Sequence, residues 1–168
     1  MGILSAIFGK KAPAPAPAVE EKVVRHSVAG TSFHQAEIKA MGEKNPDFAL
    51  TKAEMFKRGR MEVYEYTFSP KKAELVPEPD NPHDPKAIKV LVDGVHVGYI
   101  KSGSCAHVHK LIREGRIEKI VPQIVGGKSK YLSTYDAAAK HLNDYTLERC
   151  DSSFGVQLSI TETKKPEE

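Results

Sequence analysis

The chain has 168 residues, a formal net charge of +3 at pH 7, and 28% charged residues. This length is typical of one domain with room for a buried core, and the ordinary charge content neither favours nor excludes a polyanionic partner. The two cysteines, Cys105 and Cys150, have no CxxC spacing, which argues against a disulfide scaffold, leaves one bridge as an alternative, and is typical of a reduced cytoplasmic protein.

The N-terminal segment predicts a disordered arm over residues 1–21. Its opening, MGILSAIFGKK, is too short an apolar run to span a bilayer and lacks the basic start and cleavage site of a secretion signal. The APAPAPA that follows is an extended, polyproline-type spacer. The arm is either a solvated tail or a peptide that docks on another protein or touches a membrane surface. We expect the folded domain over residues 22–161 and a disordered tail over 162–168.

Hydrophobic periodicity and cap residues predict short strands interrupted by short helices. Strands are expected at 22–29, 60–69, 72–76, 88–92, 95–99, 117–125 and 154–160, and helices at 33–41 and at about 134–142. A further helix is expected between Thr51, which forms a capping box with Glu54, and Gly59. Another is expected from Ser104, as its N-cap residue, to Gly115, with Cys105, Val108, Leu111 and Ile112 on one apolar face. The Asp93-Gly94 pair between two alternating apolar runs is typical of a two-residue hairpin turn. We therefore predict a mainly β fold with short helices (α+β), a small OB-like β-barrel with helical insertions.

Two features of the predicted strands have a choice of interpretation. Tyr64, Tyr66 and Phe68 share one face of the 60–69 strand, which indicates either core packing, the commoner case, or a platform for stacking bases. Pro122 cannot donate to a sheet ladder, so it places the 117–125 strand at an edge or a bulge.

Three prolines, at 79, 82 and 85, stiffen the polar loop that precedes the hairpin. Asp80, His83 and Asp84 in this loop have the chemistry of an acid–base set, although such closely spaced residues more often form a hydrogen-bonded turn. The chain has no GxSxG, P-loop or dinucleotide fingerprint. We therefore predict a protein that is not an enzyme and has no cofactor.

A metal site is the next alternative. Cys105, His107 and His109 are close in sequence, but only Cys105 and His109 share a helix face, and no second ligand pair has zinc-finger spacing. A buried thiol beside solvated imidazoles is the simpler interpretation, so no metal is predicted.

Nucleic acid is the remaining ligand class, since it needs cations for phosphates and flat side chains for bases. Residues 101–130 contain seven basic and two acidic side chains, a local net charge of +5. The candidate stacking side chains are Phe33, His34, His83 and Tyr99. Asp84 would repel phosphate, so it either accepts a hydrogen bond from a sugar hydroxyl or caps its own turn.

The segment LVPEPDNPHDPKAIKV at 75–90, followed by VGYI at 97–100, resembles the HIRAN domain, whose hallmark is an EPxNPxDxxAIxV segment leading to a VGY or VGH strand. Residues 24–33, VRHSVAGTSF, are similar to the opening strand of that family, so the resemblance extends over roughly 23–161. It implies a stand-alone bacterial or phage-type member with a modified OB-like barrel. It also implies binding of single-stranded DNA with a preference for a free 3′ end, in DNA repair or replication.

By the same resemblance, His83 stacks on the terminal base, Asp84 engages the 3′-hydroxyl, and Lys101 lies near the backbone path. Two departures from the family are visible: His83 replaces the commoner tyrosine, and no arginine lies beside Phe33. The candidate DNA-binding residues are Phe33, His34, Asn81, His83, Asp84, Tyr99, Lys101, Lys110 and Arg113. The alternative function is a protein-interaction or assembly module on the same barrel. No membrane span is expected.

Overall fold

A computed structural model describes residues 21–163. The strands are β1 Glu21–Ala29, β2 Glu43–Lys44, β3 Glu62–Tyr64, β4 Tyr66–Thr67, β5 Ala73–Pro77, β6 Ile88–Val92, β7 Val95–Ile100, β8 Ile117–Ser133 and β9 Thr146–Thr163, and the α-helices are α1 Gln35–Ala40, α2 Lys52–Lys57 and α3 Ser102–Arg113. The predicted mainly β fold with short helices is confirmed.

Seven strands form one antiparallel sheet in the order β3-β8-β9-β1-β7-β6-β5, and β2 pairs separately with β4. The sheet is not closed into the predicted barrel, because β3 and β5 end it on opposite sides. Pro122 in β8 pairs with Leu158 of β9, whereas β3 contacts β8 only at residues 129–131. The missing N–H of Pro122 therefore lies on a locally open edge of β8, as predicted.

The main core lies between the sheet and α3. Its fully buried side chains include Ile88, Val90 and Val92 of β6 and Leu158 and Ile160 of β9. Burying side chains of this size contributes roughly 1.5–3 kcal/mol each, so these alternating residues determine which face of the sheet turns inward.

The apolar face predicted for α3 is confirmed, since Cys105, Val108 and Leu111 are buried. The predicted cap is wrong. The helix begins at Ser102 with Lys101 as its N-cap residue, and Ser104 lies within the first turn. Its C-terminal end matches the expectation, because Gly115 has a φ of 62°, a conformation that glycine adopts at little cost.

The hairpin of β6 and β7 is confirmed. Asp93 and Gly94 have φ values of 48° and 83°, as a two-residue hairpin turn requires. The Asp93 carboxylate also accepts hydrogen bonds from the backbone N–H groups of Lys71 and Lys72, which attaches the turn to the segment entering β5. The β6–β7 hairpin, which follows the polar loop of residues 78–87, is therefore anchored at its turn.

The helix predicted at 134–142 is wrong. Residues 134–145 instead connect the long strands β8 and β9 through turns and a short 3₁₀ segment, Leu142–Asp144. The Thr134 hydroxyl accepts from Asp136 N at 3.1 Å, and Asp136 Oδ1 accepts from Ala138 N at 2.8 Å. Such local side-chain acceptors compete with the helical hydrogen bonds, and here they direct the backbone into turns.

The single strand predicted at 60–69 is divided at Glu65. Its N–H donates to Lys128 O at 2.8 Å, whereas its carbonyl accepts from Asn45 N at 2.9 Å, so one residue joins β8 to the β2–β4 segment. The predicted aromatic row does line one cavity of about 530 Å³. Phe68 packs against the main core, as the commoner interpretation predicts, while Tyr64 is 39% exposed.

A second, smaller core lies at the distal half of β8 and β9. Leu50, Met55, Val63 and Leu132 are buried there, with Phe48, Phe56, Tyr145 and Leu147 packed around them. The predicted capping box at Thr51 and Glu54 is present at the start of α2, which carries Met55 into this core.

The predicted N-terminal arm lies outside the described residues except for Glu21, which belongs to β1. The last strand continues to Thr163, beyond the predicted end at residue 160. Both cysteines are free thiols, Cys105 buried and Cys150 exposed. Within residues 21–163, no helix has the length and apolar character needed to cross a membrane.

Candidate nucleic-acid interface

The polar loop of residues 78–87 is closed at its base by backbone hydrogen bonds. Glu78 N donates to Ala87 O at 2.9 Å, and Ala87 N donates to Asp84 O at the same distance. Asn81 N donates to Glu78 O at 3.0 Å. The loop thus has a defined conformation without belonging to a helix or strand, which is the usual basis for a rigid recognition loop.

Asn81 connects the start of this loop to its middle through its side chain. Its Oδ1 accepts from His83 N at 2.9 Å and from Asp84 N at 3.2 Å, and its Nδ2 donates to Glu78 Oε2 at 3.1 Å. Because the amide oxygen and one amide hydrogen are used within the loop, Asn81 positions His83 and Asp84 rather than being fully available to a ligand.

Asp84 combines the two roles left open by the sequence. Its Oδ1 accepts from Lys86 N at 2.8 Å, so the side chain does cap its own turn. The residue is also half-buried and lines a cavity of about 230 Å³ with Ala87, Ile100 and Ser102. A carboxylate has two acceptor oxygens, so capping the turn with one does not prevent the other from accepting a hydroxyl from a ligand.

Glu78 and Lys89 form an ion pair under the loop. The hydrogen bond from Lys89, followed by that from Asn81, lowers the pKa of Glu78, and Glu78 in turn raises the pKa of Lys89. The pair is therefore charged at neutral pH, and most of the Lys89 charge is neutralised locally. Lys89 is not a simple phosphate-binding cation.

Three rings form a row beside the loop. The ring of His34, the N-cap residue of α1, lies 4.2 Å from the ring of His96, centroid to centroid, and His96 lies 5.1 Å from Tyr99 in an edge-to-face arrangement. Sequence reasoning missed His96, because residues three apart on a regular strand point to opposite faces.

A β-bulge explains how His96 and Tyr99 meet. The pairing of β6 with β7 shifts between Val90 and Leu91, so that Val90 opposes Gly98 but Leu91 opposes His96. The extra residue on β7 brings His96 and Tyr99 into contact. The only available signal was Gly98, since a glycine inside a strand pattern is a common sign of a bulge or a close backbone approach.

Two neighbouring cavities open on this surface, and Asn81, His83 and Tyr99 line both. The larger, of about 630 Å³, is lined by the proline-rich part of the loop at Pro77–Pro82. The smaller is the one that contains Asp84. His83 is exposed, so a flat ligand can reach its ring, and Tyr99 contributes a second aromatic wall.

Phe33 and Lys101 lie at the ends of the strands that carry the site. Ala29, the last residue of β1, pairs with Tyr99, and the 3₁₀ turn Thr31–Phe33 follows directly. Phe33 is 86% exposed, and Lys101 is exposed immediately after β7. The fold therefore gathers Phe33, His34, Asn81, His83, Asp84, Tyr99 and Lys101 around the loop and the adjoining ends of β1 and β7.

Lys110 and Arg113 are exposed on α3, and neither lines the two cavities. Lys110 directly follows His109, whose ring bonds to Lys86 O of the loop, so α3 runs beside the loop at this point. The wider basic run is also dispersed. Arg116 pairs with Glu114, Lys128 lies 3.7 Å from Asp151, and Lys130 is buried with its ammonium donating to Leu50 O.

The possible metal ligands on α3 have separate partners. Cys105 faces the carbonyls of Ile100 and Lys101, His107 contacts Glu162 at 2.9 Å, and His109 donates to Lys86 O at 3.0 Å. In the described part of the chain, no group of three His, Cys, Asp or Glu side chains is arranged to hold a metal. His109 instead links α3 to the site loop.

The model of the HIRAN domain family matches residues 53–137, half of the chain, including the whole loop and the β6–β7 hairpin. The chain belongs to the HIRAN domain family. HIRAN domains are OB-like and are generally DNA-binding modules, which agrees with the open sheet and the ring-lined loop. Neither a curated protein nor a solved structure matches the chain.

Proposed function

We propose that this HIRAN domain holds the end of a single DNA strand, with the 3′-hydroxyl bound at Asp84. The observation that carries the proposal is that Asp84, His83 and Tyr99 line one small cavity, so an acceptor for a hydroxyl lies beside two flat rings. The domain acts without catalysis, as a recognition module in DNA repair or replication in the cytoplasm. The two free thiols agree with a reducing compartment.

The terminal nucleotide occupies the cavity of about 230 Å³ in this proposal. Its base packs against His83 and Tyr99, and the preceding base reaches Phe33. Stacking of each base on an aromatic side chain contributes on the order of 1–3 kcal/mol. Because Asn81 fixes the backbone of both His83 and Asp84, the distance between the stacking group and the hydroxyl acceptor is set before the ligand binds.

Electrostatics play a smaller part than the basic run in the sequence suggests. Lys101 is the basic side chain nearest the end of β7, whereas Lys89 is paired with Glu78. Each phosphate contact on a single strand adds about −0.7 to the slope of log K against log salt. A site with one or two such contacts has a shallow salt dependence, and its affinity comes mainly from stacking and hydroxyl recognition.

The test compares oligonucleotides that end in a 3′-hydroxyl or a 3′-phosphate, by fluorescence anisotropy with the wild-type chain, Asp84→Asn and Asp80→Asn. Asparagine keeps the side-chain oxygen that caps the turn and removes the charged acceptor, so Asp84→Asn tests recognition with the loop intact. Asp80→Asn makes the same change on a residue that lines only the larger cavity.

We expect the wild type and Asp80→Asn to prefer the 3′-hydroxyl end at least tenfold, and Asp84→Asn to lose that preference. Equal binding of both ends by the wild type would refute end recognition. Absence of binding to every single-stranded oligonucleotide would refute DNA binding at this surface and favour the protein-interaction alternative.

A further inference from the structure

His34 and His96 are in direct ring contact next to the proposed DNA site. Their centroids are 4.2 Å apart with the planes inclined by 52°, and neither ring is fully exposed. Two imidazolium ions at this distance repel each other strongly, so the pair accepts one proton much more readily than two.

The neutral form of His96 has a defined tautomer. Its Nε2 lies 3.2 Å from the carbonyl oxygen of Gly98, which only accepts hydrogen bonds, so Nε2 carries the hydrogen. Its Nδ1 is then the atom that a proton must reach. His34 lies at the N-terminus of α1, directly after exposed Phe33, and both rings are half-buried.

Charged groups approach this pair from each neighbouring element. His96 is approached by His34 at the N-terminus of α1, by Lys89 of β6 and by Glu78 of the loop. Tyr99 of β7 contacts the His96 ring edge to face. Burial, followed by His34 and then Lys89, lowers the pKa of His96, and the Gly98 carbonyl and Glu78 only partly oppose this effect. The free protein therefore keeps His96 neutral to a lower pH than an ordinary histidine, whose pKa is about 6.5.

We infer that the DNA strand leaves the cavity across Tyr99 with a phosphate next to the His34–His96 pair, and that the pair takes up one shared proton when the strand binds. A phosphate anion stabilises the protonated pair, so by reciprocity protonation must raise the affinity for DNA. His96 acts as a positioning and proton-sharing residue, through His34 and Tyr99, rather than as a ligand contact. The inference rests on the proposed function of this surface.

The sign of the pH dependence follows from this linkage. The complex keeps the shared proton to a higher pH than the free protein does. Affinity is therefore greatest on the acidic side and falls as the pH rises through the range in which the complex releases that proton. The steepest possible change for one proton is about tenfold per pH unit.

The experiment measures oligonucleotide affinity by fluorescence anisotropy between pH 5.5 and 8.5 for the wild type, His34→Gln, His96→Gln and the double variant. Glutamine keeps a donor that can bond to the Gly98 carbonyl but cannot titrate. A shared proton predicts a one-proton slope for the wild type and for each single variant, and no slope for the double variant. His141→Gln is the matched control: it removes a titratable ring from the loop that connects β8 and β9, outside the proposed site, and leaves the slope intact.

The outcomes separate this inference from the proposed function. A double variant that keeps the wild-type slope, or a wild type with a two-proton slope, would overturn the shared proton, as would pH-independent binding. A uniform loss of affinity across all pH values in the double variant, with the slope retained, would assign these rings a purely structural role. Absence of binding at every pH would overturn the proposed function together with the inference.

Discussion

The loop of residues 78–87 and the distal half of the β8–β9 hairpin are stabilised by different kinds of interaction. The loop is held by hydrogen bonds from Asn81 and by the Glu78–Lys89 ion pair, with its rings left reachable. The distal segment is held by apolar burial around Met55 and Leu132, and its connecting loop carries the exposed Tyr135.

This difference separates the proposed binding site from the apolar core that stabilises the distal segment. Apolar burial is non-directional and tolerates variation, whereas hydrogen bonds fix the orientation of particular groups. A binding site needs the second property. We therefore expect changes in the loop to affect DNA binding more than folding, and changes in the distal core to affect folding more than DNA binding.

The largest combined effect on folding and on DNA binding is expected at Gly98, which lies in the tightly packed sheet and also shapes the proposed site. It has a φ of 140°, and a Cβ added there would lie 2.2 Å from Ala29 O. Gly98→Ala should destabilise the fold by about 3–5 kcal/mol and weaken DNA binding, because β1 must move away from β7 and the bulge beneath His96 and Tyr99 is lost. Urea unfolding and anisotropy measure the two effects.

Gly103→Ala is the matched control for Gly98→Ala. An added Cβ at Gly103 meets nothing within 4 Å, and the residue lies in the first turn of α3. Alanine there should leave stability unchanged or raise it by up to about 1 kcal/mol, through helix propensity. Equal behaviour of the two variants would contradict the close approach of β1 and β7.

The next effect concerns the distal core. Met55 is fully buried, so Met55→Ala should cost about 2–5 kcal/mol of unfolding free energy through lost contacts and the cavity that remains. Affinity for DNA, measured where the variant is still folded, should stay within twofold of the wild type. Lys57→Ala, an exposed change on the same helix, should alter stability by less than about 0.5 kcal/mol. A large loss of affinity in Met55→Ala would mean that the distal segment takes part in binding.

The smallest effect on stability, with a larger one on binding, is expected for Asn81→Ala. Removing the Asn81 amide leaves the N–H groups of His83 and Asp84 without their acceptor. We expect this to lower the free energy of unfolding by only about 1–2 kcal/mol, because water can partly replace the lost acceptor in this exposed loop. Affinity for the 3′-hydroxyl oligonucleotide should fall at least tenfold. Asp80→Ala, an exposed neighbour, is the control, and the same loss of affinity in both variants would argue against a positioning role for Asn81.

Local patterns predicted the parts of the fold that rest on local interactions. The Asp93-Gly94 turn, the alternating residues of β6, the Thr51–Glu54 capping box and the glycine ends of α2 and α3 all follow from short-range geometry. The helix predicted at 134–142 failed because Thr134 and Asp136 provide local acceptors that compete with helical bonding. The prediction of one strand at 60–69 failed because the backbone of Glu65 bonds to Lys128 and to Asn45, which are both distant in sequence.

The sequence by itself determined where the candidate site lies, since the proline-rich loop, His83, Asp84 and the following hairpin lie within 27 residues, 75–101, with fixed spacing. Only the tertiary structure decided which other residues join it. The β-bulge turns His96 towards Tyr99, and the pairing of β1 with β7 brings His34 alongside. These relations depend on register and on contacts between distant segments, which strand alternation and composition do not encode.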